Sequence, residues 1–239
     1  MQLAIDTSTD IVSLALADES QVVAELSWRS GQNHSKELLP QLTQLLKLVG
    51  TDIKAVTEII VAKGPGSYNG LRVGISTAKG LAFSLGVPIA GVSTLEAEAR
   101  KHALSGLPIC PMLNAGRGEF ATALYQQKNN RWLKLIPEHL ATLESITKEV
   151  TTKTLFCGEI DEVTRAKLKR RLKENAVFAL QASQLGRAAY LIELGGRLLK
   201  AGKADDPATL QPLYLRRPSI TEPKRRIEWR ADGKLEERV

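Results

Sequence analysis

Asp6 ends an apolar run and is followed by three hydroxyl side chains, Thr7, Ser8 and Thr9. A carboxylate beside hydroxyls at a hairpin can hold a phosphate–Mg²⁺ complex. The same residues can also close a local Asx or Ser/Thr turn. A phosphate loop of this kind wants Gly where Ser8 stands, so that backbone can approach the anion. Further on, Gly64-Pro-Gly-Ser-Tyr-Asn-Gly70 joins an apolar run to a helical pattern. Helix N-termini at such junctions bind anions. No Gly-Lys-Ser/Thr follows, and Gly64-x-Gly66-x-x-x-Gly70 is not dinucleotide-loop spacing. A tight turn is the plainer reading. The candidate anion-binding residues are Asp6, Gly64, Gly66, Ser67 and Arg72, the last in the first helical turn.

Metal and nucleophile chemistry find little support. His34, His102 and His139 are not spaced as helical pairs, and Cys110 and Cys157 lack a Cys-x-x-Cys partner. No zinc or other metal site is expected. His34, before Ser35 at a helix start, reads as a cap or interface residue. No Gly-x-Ser-x-Gly elbow is present, so no serine nucleophile is assigned. Arg165, Lys167, Lys169, Arg170, Arg171 and Lys173 crowd one helix, with only Leu168 and Leu172 as an apolar stripe. Arg216, Arg217, Lys224, Arg225 and Arg226 form a second cluster. Such clusters either contact a phosphate backbone or form a solvated face. Arg165, Lys169, Arg170 and Arg171 are the candidate RNA contacts.

The elements that must position these residues follow from periodicity. Leu3 and Ile5, then Val12, Leu14 and Leu16, then Val22, Ala24 and Leu26 alternate as three antiparallel strands. A helix spans about 35–49 and closes at Gly50, with Leu38, Leu42, Leu45 and Val49 on one stripe. Glu58–Ala62 is a buried strand. The helix over 70–85 is rich in small residues (Gly74, Ser76, Ala78, Gly80, Ala82). Interior glycine costs about 1 kcal/mol against alanine, so close helix approach is expected. A strand at 88–92 and a helix at 94–104 complete residues 1–104. Residues 105–204 repeat the order, so β-β-β-α-β-α is expected twice. Residues 205–239 read as an irregular, basic tail, Pro-rich from Asp205 and, from Glu222 on, either weakly structured or an arm on a partner.

Composition sets the class. The chain has 239 residues, 43% hydrophobic, with a net charge of +7. Apolar content excludes a disordered chain, and two cysteines exclude a disulfide scaffold. No long apolar run suggests a membrane span, and the N-terminus shows no signal peptide. A soluble cytoplasmic protein is expected. Residues 1–100 carry 8 basic and 10 acidic side chains; the remainder carries 25 and 16. That asymmetry suggests different partners for the two halves.

Several strings resemble the TsaB (YeaZ) family of bacterial tRNA threonylcarbamoyladenosine biosynthesis proteins. They are Leu3-Ala-Ile-Asp6-Thr-Ser-Thr9, His34-Ser35 with Leu38-Leu39-Pro40, and Gly64-Pro-Gly-Ser67 with Gly70-Leu-Arg-Val-Gly74. Lys79-Gly-Leu-Ala82, Gly91-Val-Ser-Thr-Leu95 and Pro212-Leu-Tyr-Leu-Arg216 continue the likeness. The chain departs from the family at Tyr68-Asn69, where Phe-Thr is usual, and at Asn114, where Asp is common.

The resemblance implies two ribonuclease-H-like, actin-type (ASKHA) α/β halves, each a mixed sheet flanked by helices. It implies a non-catalytic partner of the paralogue TsaD, which transfers threonylcarbamoyl from threonylcarbamoyl-AMP to the adenosine 3′ of the anticodon. The ATPase TsaE joins them. TsaD carries His-Met-Glu-Gly-His where this chain has Thr94-Leu-Glu-Ala-Glu98, so both imidazoles are missing. The resemblance also implies that the helices at 35–49 and 70–85 form the interface with TsaD or a second copy. Its candidates are His34, Leu38, Leu42, Leu45, Leu71, Ile75 and Ala78, unless these are simply core. No cofactor of its own is implied, though ATP or ADP is a candidate ligand at the contact with TsaD. The alternatives are an independent actin-like ATPase or kinase, disfavoured by Ser8 and by the lack of a clear second phosphate loop in 105–200, and a metalloprotease-like enzyme.

Overall fold

The computed structural model describes residues 1–31, 33–216, 226–229 and 235–238. The first half begins with β1 (Gln2–Asp6), β2 (Ile11–Asp18) and β3 (Gln21–Arg29). Glu19 and Ser20 take positive φ, giving a tight β2–β3 hairpin. Then come α1 (His34–Val49), β4 (Glu58–Gly64), α2 (Tyr68–Leu85), β5 (Ile89–Ser93) and α3 (Thr94–Arg100). The second half runs β6 (Ile109–Asn114), β7 (Glu119–Lys128), β8 (Arg131–Thr142), α4 (Leu143–Glu149), β9 (Thr154–Gly158), α5 (Glu162–Leu172), β10 (Ala176–Phe178) and α6 (Ala188–Lys200).

Each half thus ends in a further strand–helix pair beyond β-β-β-α-β-α, in the first half the expected strand at 88–92 and helix at 94–104. Sheet order in the first half is β3-β2-β1-β4-β5, and in the second β8-β7-β6-β9-β10. The first three strands of each pair antiparallel, and the last two join parallel. This is the ribonuclease-H-like topology twice over, the actin-type arrangement.

Alternation sorts the cores. On one face of the first sheet, Leu3, Ile5, Leu14, Leu16, Ile59 and Val61 pack against α1 and α2. On the other, Ala4, Ala15, Ala17, Ile60 and Ala62 meet Leu191, Ile192 and Leu194 of α6. The small side chains let α6 approach closely, and a Cβ on Gly195 would collide with Ile60. Likewise α3 lies on the second sheet, with Leu95 and Ala99 among Ile109, Leu113 and Ala121. The last helix of each half thus covers the other half's sheet.

The segment after α6 is irregular over 205–216 and docks on both halves. Asp205 pairs with Ile89 and accepts from the Gly91 N–H at 2.7 Å. Leu210 is buried in the first core, the Leu213 N–H donates to the Lys63 carbonyl, and Arg216 reaches Glu119 of the second half. Strands β11 (Arg226–Trp229) and β12 (Leu235–Arg238) pair antiparallel. Of the second basic cluster, Arg217, Lys224 and Arg225 lie outside the described residues.

Candidate functional site

β1 delivers Asp6 to the boundary between the halves, fully buried. Its Oδ1 accepts from the Ser8 N–H at 2.8 Å and the Ser8 hydroxyl at 2.5 Å. Its Oδ2 accepts from Arg187 Nε at 2.7 Å. Arg187, at the start of α6, also donates to Thr9 Oγ1 at 2.6 Å and lies 3.9 Å from Glu98. Burial opposes the guanidinium charge, but Asp6 and Glu98 outweigh it and raise the Arg187 pKa. The carboxylate expected to face an anion or Mg²⁺ is thus neutralised within the chain. Sequence reasoning missed Arg187, which no local motif marks and which meets Asp6 from 181 residues away.

The Gly64–Gly70 loop is likewise filled from within. Ser67 caps α2 by accepting from the Gly70 N–H at 3.3 Å, while the Ser67 N–H donates to the Ser8 carbonyl at 2.7 Å. Thr7 Oγ1 donates to the Gly70 carbonyl at 2.7 Å. A Cβ at Gly66, Gly70 or Gly74 would run into Ser8 or Thr7. These glycines therefore seat α2 directly on the 6–9 loop. The amides of Ser67 and Gly70, the expected anion donors, are occupied. Gly64 packs on Leu213 with φ of +106°, a left-handed conformation suited to glycine. Arg72 stacks 4.1 Å over the Tyr68 ring and donates to the Tyr214 hydroxyl at 3.3 Å.

The proposed interface residues need correction. Leu38, Leu42, Leu45, Leu71, Ile75 and Ala78 are all buried, between 0% and 3% exposed. Their stripe faces the chain's own core, with the first sheet packed against the two helices. His34 is buried too, its Nε2 2.9 Å from the Thr9 carbonyl. A charge at Leu42 or Ala78 would disrupt the fold rather than a contact. The exposed apolar side chains of α1 and α2 are Leu39, Leu48 and Phe83, the last 86% exposed. Beside them Gly80 has nothing within 4 Å of a built Cβ.

A cleft of about 610 Å³ opens between the halves. It is lined by Thr9 to Ile11, the 114–120 hairpin and the 158–161 loop, with Arg187 and Glu98. Asp6, Gly64, Gly66, Ser67 and Arg72 do not line it. The hairpin Asn114-Ala-Gly-Arg-Gly-Glu119 occupies the place that the 6–10 loop holds in the first half. Gly116, Arg117 and Gly118 all have positive φ. A glycine-bearing loop in the second half does face the cleft, although no clear phosphate loop is legible there in the sequence. Burial raises the Glu159 carboxyl above its usual range, although Oε2 accepts from the Asn114 N–H at 3.0 Å.

Behind this cleft Glu98, His102 and Cys157 offer ligand atoms within 4.8 Å of one another. Burial lowers the His102 pKa and raises that of the Cys157 thiol. On α5, Arg165 lies 4.5 Å over the Phe178 ring and is partly buried, whereas Lys169, Arg170 and Arg171 are exposed. The structure leaves this basic group away from the cleft lining.

Comparison with known proteins agrees with this architecture. The family model described as "TsaD: tRNA N6-adenosine threonylcarbamoyltransferase" matches residues 27–223. The Bacillus subtilis tRNA threonylcarbamoyladenosine biosynthesis protein TsaB is 36% identical over 90% of this chain and 93% of its own length. The Escherichia coli protein of that name is 34% identical over 54% of this chain and 56% of its length. YeaZ from Pseudomonas aeruginosa superposes with a TM-score of 0.72 at 25% identity, covering 89% of this chain and 99% of that one. A second Pseudomonas aeruginosa crystal structure, of an uncharacterized protein similar to peptidase YeaZ, gives 0.76 at 26% identity over 90% and 99%. Two like-ordered sheets, the signature strings and near full-length identity to a curated TsaB together place this chain in the TsaB (YeaZ) family.

Proposed function

We propose that this chain is the non-catalytic subunit of tRNA threonylcarbamoyladenosine biosynthesis that binds the catalytic paralogue TsaD. One observation carries the reading: an exposed helix glycine, Gly80, stands beside exposed Phe83, and among the described residues no neighbouring element comes within 4 Å of where a Cβ would stand there. Glycine in a helix interior costs about 1 kcal/mol, and a partner's closely approaching backbone offsets it. Exposed Phe83 supplies apolar surface for such a contact to bury. The internal neutralisation of Asp6 and the absence of imidazole at Thr94 and Glu98 support a supporting rather than a chemical role. The chain carries no cofactor of its own in this reading, and any ATP or ADP is held where it meets TsaD. TsaE joins the assembly, and tRNA meets the chain through the exposed cations of α5.

Threonylcarbamoyl transfer reconstituted from TsaD, TsaE and tRNA tests this. Activity should depend on adding this chain and be lost with Phe83→Asp, with TsaD binding lost in parallel on size exclusion. Full transfer without the chain refutes the reading. The second reading, an actin-like ATPase, draws on the 114–119 glycine loop facing the cleft. Metal-dependent ATP turnover by the isolated chain would favour it.

A further inference from the structure

We propose that Glu98, His102 and Cys157 form a site for one borderline-soft divalent ion of the Zn²⁺ class. Glu98 sits in the last turn of α3, and His102 follows just past its end, held back by its N–H donating to the Ala99 carbonyl at 3.0 Å. Cys157 comes from β9, beneath that helix end, its Sγ 4.0 Å from the Glu98 carbonyl. Cys157 and Glu98 are 2% and 3% exposed.

Two independent observations point to a ligand. His102 Nε2 is buried with no hydrogen-bond partner among the described residues. An unmet buried polar group destabilises the fold, and a metal bond would remove that cost. Secondly, a cavity of about 20 Å³ borders two of the three ligands, Glu98 and Cys157, though not His102. One ion or water needs about 10–15 Å³.

Thiolate, imidazole and carboxylate together suit zinc and its neighbours rather than Mg²⁺ or Ca²⁺. Three protein ligands leave a fourth position for water on the cavity side. Lys101 shares the Glu98 carboxylate at 3.2 and 3.3 Å. Those contacts are longer than the roughly 2.7–2.9 Å of a strong charge-assisted bond. The ion takes the ammonium's place, while Arg187 stays with Asp6. Bound metal would pin α3 to the second sheet. The site escapes a search of the sequence for His pairs and Cys-x-x-Cys, because only the fold brings Cys157 to the helix.

Co²⁺ titration of the reduced, chelator-stripped full chain tests this through its thiolate-to-metal absorption. One equivalent should bind with that band, which Cys110→Ser keeps and Cys157→Ser loses. His102→Gln should weaken affinity at least tenfold. Zn²⁺ should raise the melting temperature of the parent and of Cys110→Ser, but not of His102→Gln. Absence of one-equivalent binding, or a band that survives Cys157→Ser, overturns the site. Should Cys157→Ser fail to fold, unchanged affinity in His102→Gln overturns it instead.

Discussion

α2 and α5 hold the same topological place in their halves, yet they present opposite surfaces. α2 is an 18-residue helix of small and apolar residues; α5 has 11 residues and bristles with cations. The loops at the start of the two sheets diverge in parallel. The first, Asp6–Thr9, is buried and closed by Arg187, Gly66, Gly70 and Gly74. The second, Asn114–Glu119, opens on the cleft. A duplicated framework can therefore devote one copy's signature residues to packing and leave the other copy's surface to different chemistry.

The sharpest way to break this contrast is Arg187→Ala. It leaves the buried Asp6 carboxylate uncompensated, while Glu98 keeps Lys101, and should destabilise by about 3–5 kcal/mol, read as a fall in melting temperature. Combining it with Asp6→Asn should recover part of the loss. No destabilisation would mean that the buried carboxylate does not depend on the Arg187 charge.

Next is a paired test on α1 and α2. Leu42→Ala should cost about 2–5 kcal/mol by denaturant unfolding, as a buried leucine does. Phe83→Asp should change stability by only about 0.5 kcal/mol yet lower TsaD affinity at least tenfold. Equal effects of the two on folding would erase the distinction between core and contact.

On α5, the combined Lys169→Glu, Arg170→Glu and Arg171→Glu variant should melt with the parent. Its tRNA affinity should be weaker and less salt-sensitive, the slope falling by roughly 0.7–0.9 for each phosphate left without its cation. An unchanged slope would return α5 to a solvated face.

The smallest effect compares the edge strands β3 and β8. Burial pushes the Glu138 carboxyl of β8 up, but hydrogen bonds from Lys134, Ser93, Tyr125 and the backbone together outweigh it and hold the group at about 2, against an ordinary 4.5. A depressed carboxyl contributes stability above its unfolded value and loses it as pH falls through the folded one. Glu138→Gln should therefore flatten the thermal stability profile between about pH 4.5 and 2. An unchanged profile would count against the ion pair.

Much of the fold is legible in the sequence because its signals are local. Alternation through Leu3–Asp6 and Val12–Leu16, the Gly50 stop and the small-residue run of α2 need no tertiary knowledge. The faces of the helices are harder. Leu38, Leu42 and Leu45 form a stripe whichever surface covers them, and only the sheet beneath shows that the covering is internal. Arg187 is invisible for the same reason: an arginine before an apolar helix looks like any other until β1 is folded beside it. Glu98 and His102 lie within reach of a spacing search, but their third partner does not.

The segment from Asp205 to Arg216 has a mechanical consequence. It is fastened to the first half at Gly91, Lys79 and Lys63, and to the second at Ala115 and Glu119. Two-domain clefts of this kind work by hinging. A strap anchored on both sides of the hinge limits how far the cleft can swing. Truncation after residue 204 would strip that restraint and uncover the seat of Leu210, leaving the crossed helices α3 and α6 alone to couple the halves.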